Sequence, residues 1–459
     1  MNISNGSMGN LIKILIVIGV FVTGLYLRID MVDKTLVDTP IRADAAEYVL
    51  YAYNLENYGI YSQQRPNQIE NDMPLPDAYR TPGYSLFLLP FLKIYHLPKM
   101  IVSVVLAQAV ISALTVLTAF VFFRSFLSWP WAAVAAFLVA ISPHLVAANI
   151  YILTESLFTF FLVLLSWSIS ALAENKSRLQ ALLVGVFLGI SLLIRPTMLY
   201  FIAFLVPAFL VFFQRKRAVG LILFLIIGFG ATYGPWVLRN KLVNARKSKL
   251  AYATIHKGMY PDLIYNHDSD TYGSPNRFDP TWNQRRDMSS VLKEISRRFK
   301  AEPLKYIRWY IIGKPVMFFS WDIVVGMGDV FIYPVFTSPY HNLNGFFGLT
   351  HRVMRSIHGK ITVVALLTAI FLWLPIAKRL IKERGLIAAR FASLLIFYFL
   401  LVHIIGTPLP RYSVPLRPFI YGLSMLGIYL IIKGGAPIIQ MLSAKKKDSY
   451  ETDHPNSMF

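Results

Sequence analysis

The stretch LIKILIVIGVFVTGLYL, from Leu11 to Leu27, carries one charge, Lys13, in seventeen residues. A helix needs roughly 20 apolar residues to cross about 30 Å of hydrocarbon, so this segment with its flanks is long enough to span. The same stretch could serve as the apolar core of a secretory signal. It is long for that, and no small-x-small cleavage site precedes Arg28 and Asp30, so a retained span is expected.

Outward from Leu27 the pattern repeats along almost the whole chain. Apolar runs near 11 to 29, 100 to 123, 131 to 149, 153 to 172, 179 to 194, 198 to 213, 218 to 237, 360 to 378, 386 to 405 and 413 to 432 give about ten spans. Composition agrees: hydrophobic residues make up 56% of the 459 positions and charged residues 15%, with mean hydropathy +0.52, too little polar surface for a soluble protein of this size. The fold class expected is an all-α polytopic membrane protein. With no cysteine there is neither a disulfide framework nor a thiolate metal site.

The formal net charge is +21. Basic turns at Arg124, at Lys176 and Arg178, and at Arg215 to Arg217 alternate along the chain, which assigns that side and both termini to the cytoplasm. The basic excess is therefore topological in part, and no nucleic-acid partner is expected. The division that follows is a first helix at 1–29, an outward loop at 30–98, helices two to seven at 99–237, an outward domain at 238–358, three last helices at 359–432 and a basic cytoplasmic tail at 433–459. The segment 310–336 is apolar enough to cross. Crossing would turn Lys378 to Arg384 outward against the charge bias, so 304–336 is expected along the interface.

The two outward segments differ in charge. Between Asp30 and Pro98 there are nine acids and five bases, whereas Arg239 to Arg308 holds fifteen bases and seven acids. Within the first, DAAEYVLYAYNLENYGIYSQQ spaces Asp44, Glu47, Tyr48 and Tyr51 so that a helix presents them on one face. Asp44 and Glu47 also fit a capping box, as N-cap and N3. Downstream, Arg80 and Tyr84 flank a Pro82-Gly83 turn. LTESLF puts Glu155 at the outer start of a helix, costly at the edge of hydrocarbon unless paired or used. Arg195 in LLIRPTM, Arg239 beside Trp236 in PWVLRN, and Arg411 with Tyr412 in PRYSVPLRP fall at outward helix ends too.

These motifs, Asp44 to Gly59 before YRTPGYSLFLLPF, then LTESLF, LIRPT, PWVLRN and PRYSVPLRP, resemble in order the polyprenyl-phosphate-sugar-dependent glycosyltransferases of the GT-C fold, which include protein O-mannosyltransferases and the lipid A aminoarabinose transferase. The resemblance covers roughly residues 10 to 430. It implies a transmembrane bundle with an outward mixed domain, a bacterial inner-membrane setting, and inverting transfer of a sugar from a polyprenyl-phosphate carrier to a lipid, glycan or protein acceptor on the outer face. It places the catalytic acid of the first loop at Asp44. Relatives often have adjacent Asp-Glu where this chain has Asp44-Ala45-Ala46-Glu47, which bears on Glu47 more than on Asp44.

On that basis Asp44 is expected as base, with Glu47 and Glu155 also catalytic. Arg80, Tyr84, Tyr48, Arg239, Arg411 and Tyr412 are expected to bind substrate. No cofactor is expected, because fixed arginines suffice for a single phosphate, and His341, His351 and His358 match no metal-ligand spacing. Two other readings compete. An O-antigen-type polymerase or ligase would use a polyprenyl diphosphate-linked glycan, and a transporter or flippase would bind near midplane, often within an internal repeat, of which the sequence has none. The Asp268-Ser269-Asp270 triplet reads as a turn.

Overall fold

The computed structural model describes residues 5–69, 73–248, 250–261, 263, 279, 287–323 and 328–433. The Asp268-Ser269-Asp270 triplet and the tail beyond 433 lie outside them.

Helices in chain order are α1 (Asn5–Lys34), α2 (Asp44–Tyr58), α3 (Gly83–Ile94), α4 (Leu97–Phe123), α5 (Trp129–Ile141), α6 (Pro143–Ala147), α7 (Glu155–Asn175), α8 (Arg178–Ile194), α9 (Phe201–Phe212) and α10 (Arg215–Leu242). There follow α11 (Leu250–Gly258), α12 (Met288–Ala301), α13 (Pro303–Arg308), α14 (Lys314–Phe318), α15 (Pro339–Asn342), α16 (Gly345–Phe371), α17 (Ala377–Leu380) and α18 (Glu383–Ile405). A last helix, Pro410–Lys433, opens with 3-10 turns over Pro410–Leu416.

Among the described residues seven helices are long and apolar enough to cross a membrane, and the bent pair Trp129–Ile141 and Pro143–Ile150 makes an eighth if it is one span. The chain is thus a multi-pass membrane protein. The expected count of about ten included 179–194 and 198–213, which fold as α8 and α9, helices of 17 and 12 residues. α8 lies at the short end of the roughly 17–25 residues that cross hydrocarbon, and α9 lies below it.

The 46° bend after α5 has a sequence cause. Pro143 has no N–H to give to the carbonyl four residues back, so Val139 loses its helical partner. Arg28 of α1, entirely buried, supplies the replacement: Nη2 donates to Val139 O at 3.2 Å and Nη1 to Ala140 O at 2.9 Å. Its Nε donates to Ser112 Oγ of α4 at 2.8 Å, fastening α1, α4 and α5 at one point. Elsewhere glycine sets the packing. A Cβ at Gly185 of α8 would stand 2.0 Å from Leu225 O, and one at Gly228 of α10 2.1 Å from Leu182 O, so α8 and α10 meet backbone to backbone.

The best-buried spans are α7, α18 and the last helix, each 72% buried over its apolar window, whereas α1 and α10 are 11% and 17% buried and form the rim. Cytoplasm-type basic turns collect at one end of this bundle, where Lys176 meets Glu383 at 3.5 Å and Arg384 meets Glu174 at 2.6 Å.

At the other end the two expected outward segments are stitched together by short ladders. Strand β1 (Leu36–Val37) pairs antiparallel with β4 (Val335–Thr337), and β2 (Asp77–Ala78) pairs in parallel with β3 (Arg246–Lys247). The first loop is therefore held by residues far along the chain. The 304–336 stretch holds α13, a π-turn at Trp309–Gly313 and α14, and none of these is among the span-length helices. Buried Lys314 donates there to Ile404 O at 2.6 Å and Gly406 O at 3.0 Å, closing the carboxyl end of α18.

Candidate active site

Asp44 is the first residue of α2, and its N-cap is Ala43, at a positive φ of 47°, with no side-chain capping bond. The capping-box reading of Asp44 and Glu47 is therefore corrected. Both carboxylates turn to arginines instead, because a charge-assisted bond to a guanidinium outweighs one to a backbone N–H. Asp44 accepts from Arg80 Nη2 at 2.7 Å through one oxygen and from Arg411 Nη2 at 2.5 Å through the other. Arg80 Nε reaches Glu47 at 2.6 Å, which uses the i, i+3 spacing along one face of α2.

Arg80 is held from behind. Its backbone N–H donates to Tyr51 Oη at 3.4 Å, Tyr51 donates to Asp77, and the guanidinium lies 5.4 Å from the Tyr48 ring centroid. Burial would raise the Asp44 carboxyl, yet Arg411 and Arg80 overcome it and hold the group well below the usual carboxylate range. Burial pushes Tyr48 up to about 12, so it stays a neutral phenol.

A second pair faces the first. Glu155 starts α7, where the helix dipole favours an acid, and accepts from Arg195 Nη2 at 2.9 Å. Thr154 occupies the N-cap position but makes no side-chain cap. Arg195 follows the last residue of α8, and Pro196 prevents the helix from continuing. Tyr412 stands between the pairs, its ring 5.2 Å from the guanidinium carbon of both Arg195 and Arg411. His403 stacks on it at 4.9 Å.

Asp44, Tyr48, Arg80, Glu155, Arg195, Arg411 and Tyr412 line one cavity of about 240 Å³, with Thr197, His403 and Thr254 among the other walls. Three guanidiniums face two carboxylates across it, and Glu47 shares Arg80 from outside the wall. Five buried atoms on residues that line it have no hydrogen-bond partner among the described residues: Glu155 Oε2, Arg195 Nη1, Thr197 Oγ1, His403 Nε2 and Arg411 Nε. Each such group costs about 1–3 kcal/mol, and native folds carry few of them, so five around one space mark a polar binding site. Two other cavities are larger, at about 330 Å³ beside Gln64 and Arg246 and about 820 Å³ between α1 and α4. Neither brings these ion pairs together.

Of the expected residues, Asp44, Tyr48, Glu155, Arg80, Arg411 and Tyr412 thus meet in one place. Glu47 lies behind Arg80, off the cavity wall. Tyr84 is buried, donates to Gln108 Oε1 at 2.7 Å and packs edge-on to Tyr48, so it supports the wall without reaching it. Arg239 is elsewhere. Its guanidinium donates to Asp77 O at 2.8 Å and Tyr61 O at 2.9 Å, which commits it to bracing the first loop. Arg195, Thr197 and His403 were not assigned from the sequence as site residues. Arg195 had a signal, a cation at a helix end beside the other outward arginines, but the roles of Thr197 and His403 depend on tertiary placement. Among the described residues no three His, Asp or Glu side chains converge as metal ligands.

Over residues 80–232, a segment that includes Arg80, Glu155 and Arg195, the chain matches the family model of the dolichyl-phosphate-mannose-protein mannosyltransferases. No curated protein sequence matches it. Among solved structures, the oligosaccharyltransferase AglB from Archaeoglobus fulgidus, in complex with an inhibitory peptide and a dolichol-phosphate, superposes with TM-score 0.51 at 11% identity, covering 94% of this chain and 52% of that one. ArnT from Cupriavidus metallidurans, bound to undecaprenyl phosphate, gives TM-score 0.40 at 13% identity, covering 92% and 77%. The chain spans about half the length of the oligosaccharyltransferase. Its architecture is the GT-C type of membrane bundle. Within that class its sequence resembles the protein mannosyltransferases over residues 80–232.

Proposed function

We propose that this protein is an inverting membrane glycosyltransferase that takes a sugar from a polyprenyl-phosphate carrier and delivers it to a lipid, glycan or protein acceptor on the outer face of the membrane. The observation that carries the reading is the cavity between Asp44 and Glu155: three arginines, and unpartnered donors beside unpartnered acceptors on the residues that line it. A polyprenyl-phosphate sugar is a phosphodiester with one negative charge. The arginines of the cavity supply guanidinium partners for that charge. The mannosyltransferase match over 80–232 and the dolichol-phosphate in the AglB complex support the same donor class.

In this reading the phosphate oxygens take Arg411, Arg195 and Arg80 as partners. The acceptor oxygen attacks the anomeric carbon from the opposite face, the bond from that carbon to the phosphate oxygen breaks, and polyprenyl phosphate leaves with the electron pair. The acceptor proton passes to Asp44. Clamped between two guanidiniums Asp44 is a weak base, and a phosphate that draws Arg411 away makes it a stronger one.

The charged cavity lies at the bundle end opposite the basic turns, which supports an outer, periplasm-facing site with cytoplasmic termini in a bacterial inner membrane. A transporter would place such charges near midplane. The test is release of polyprenyl phosphate from reconstituted protein given polyprenyl-phosphate sugars and a crude membrane extract as acceptor. Release by wild type and none by Asp44→Asn is expected, and no release from any donor by folded wild type would overturn the reading.

A further inference from the structure

His403 sits in the last turn of α18, 3% exposed, its ring stacked between Phe318 at 5.0 Å and Tyr412 at 4.9 Å. Its Nδ1 lies 3.1 Å from Thr407 O. A carbonyl only accepts, so Nδ1 carries the proton and Nε2 carries a lone pair. That lone pair has no partner among the described residues, and the residue lines the cavity. The tautomer is fixed by a rigid frame. Thr407 Oγ1 donates to Thr254 O at 2.7 Å, and Gly258 of α11 lies so close that a Cβ there would be 2.0 Å from Gly406 O.

The cavity therefore has two free acceptors, His403 Nε2 and Glu155 Oε2, besides its arginine donors. An acceptor needs a donor from the ligand. A polyprenyl chain has none and an ionised phosphodiester has none, so within the donor substrate only the hydroxyl groups of the sugar remain. We propose that His403 reads the transferred sugar, its Nε2 accepting a hydrogen bond from a sugar hydroxyl of the donor while Glu155 Oε2 accepts a second. This rests on the polyprenyl-phosphate reading above and adds a residue for sugar selectivity. A Phe or Leu would fill the slot between Phe318 and Tyr412 without burying a lone pair, so packing alone does not call for histidine.

The test measures equilibrium binding, without acceptor, of polyprenyl-phosphate mannose, polyprenyl-phosphate glucose and sugar-free polyprenyl phosphate to the purified full chain. His403→Phe keeps the stacked ring and removes the lone pair, and His403→Gln returns an acceptor at about the same reach. Wild type is expected to bind a sugar-bearing form more tightly than the sugar-free one. His403→Phe should lose about ten-fold on that form alone, the value of one hydrogen bond to a neutral group, with His403→Gln recovering part of it. Unchanged sugar-form binding by folded His403→Phe would overturn the proposal, as would an equal loss on both forms. An intact donor affinity with a changed KM for the acceptor would transfer the lone pair to the acceptor substrate and overturn it too. Wild type that binds no form would overturn the polyprenyl-phosphate reading itself, a distinct result.

Discussion

Asp44 and Arg411 stand 367 residues apart in the chain and meet at 2.5 Å. The contact joins the first turn of α2 to the first turn of the last helix. Arg411 sits at a helix amino terminus, where the dipole disfavours a cation, and Asp44 offsets that. The pair is thus held by its own charges, and a competing anion can exchange one partner for another.

That exchange gives a prediction with a sign. Asp44→Asn removes the carboxylate that occupies Arg411 and Arg80, so Arg411 becomes free for phosphate and Arg80 keeps only Glu47. Turnover should fall by about 10²–10⁴, the usual contribution of a general base, while sugar-free polyprenyl phosphate binds at least as tightly as to wild type. Direct binding and single-turnover assays read the two separately. Weaker phosphate binding by the variant would show that Asp44 organises the arginines and does not compete for them.

The Asp44 carboxyl also links stability to pH. Its folded-state pKa is depressed by Arg411 and Arg80, so the ionised form stabilises the fold. That contribution is complete above the ordinary carboxylate value of about 4 and is lost as pH falls through the lowered folded value. The Tm difference between wild type and Asp44→Asn should accordingly be flat from about pH 8 to 5 and shrink on further acidification. A difference that already shrinks between pH 8 and 6 would contradict the assignment.

Arg239 separates bracing from binding. It donates to the carbonyls of Tyr61 and Asp77, and its guanidinium carbon lies 5.2 Å from the Trp236 ring centroid. Arg239→Lys keeps the charge but cannot hold both carbonyls with one planar fork, so it should cost about 1–3 kcal/mol of stability. The donor KM of the surviving folded protein should not change. A large KM increase at unchanged Tm would return Arg239 to the phosphate site.

How far the sequence could be read follows from the length scale of each feature. Spans and basic turns are local, and apolar run length and Lys/Arg placement were enough for most of the bundle. The span count turns on two elements that are local too: α8 and α9 are apolar like spans but stop at 17 and 12 residues. Asp44, Glu155, Arg80 and Arg411 drew attention in the sequence because carboxylates and arginines at the ends of apolar helices are costly without partners. Which arginine met which acid was not legible, since spacing along a chain says nothing about contacts 367 positions apart. Arg239 and Arg411 look alike in sequence. Only the fold shows one spent on carbonyls and the other on Asp44.

Arg28 offers the last test, of how the bundle tolerates its bend. Pro143 leaves Val139 O without a helical donor, and Arg28 covers it together with Ala140 O. Inside hydrocarbon no water can take over. Arg28→Met keeps much of the volume, removes a buried unpaired cation and strands both carbonyls, so two opposed effects compete. The guanidinium also bonds Ser112 and Gly24 O, at 2.8 and 2.9 Å, and four bonds to neutral groups compensate its burial well. Loss of the bonds should therefore win, lowering stability in detergent by about 2–4 kcal/mol. Arg28→Lys, with three donors on one nitrogen, should fall between. In an Arg28→Met background, Pro143→Ala restores the N–H that Val139 O lacks and should recover part of the loss. No recovery would mean that the bend arises from the packing of α4 against α5 and not from the missing donor.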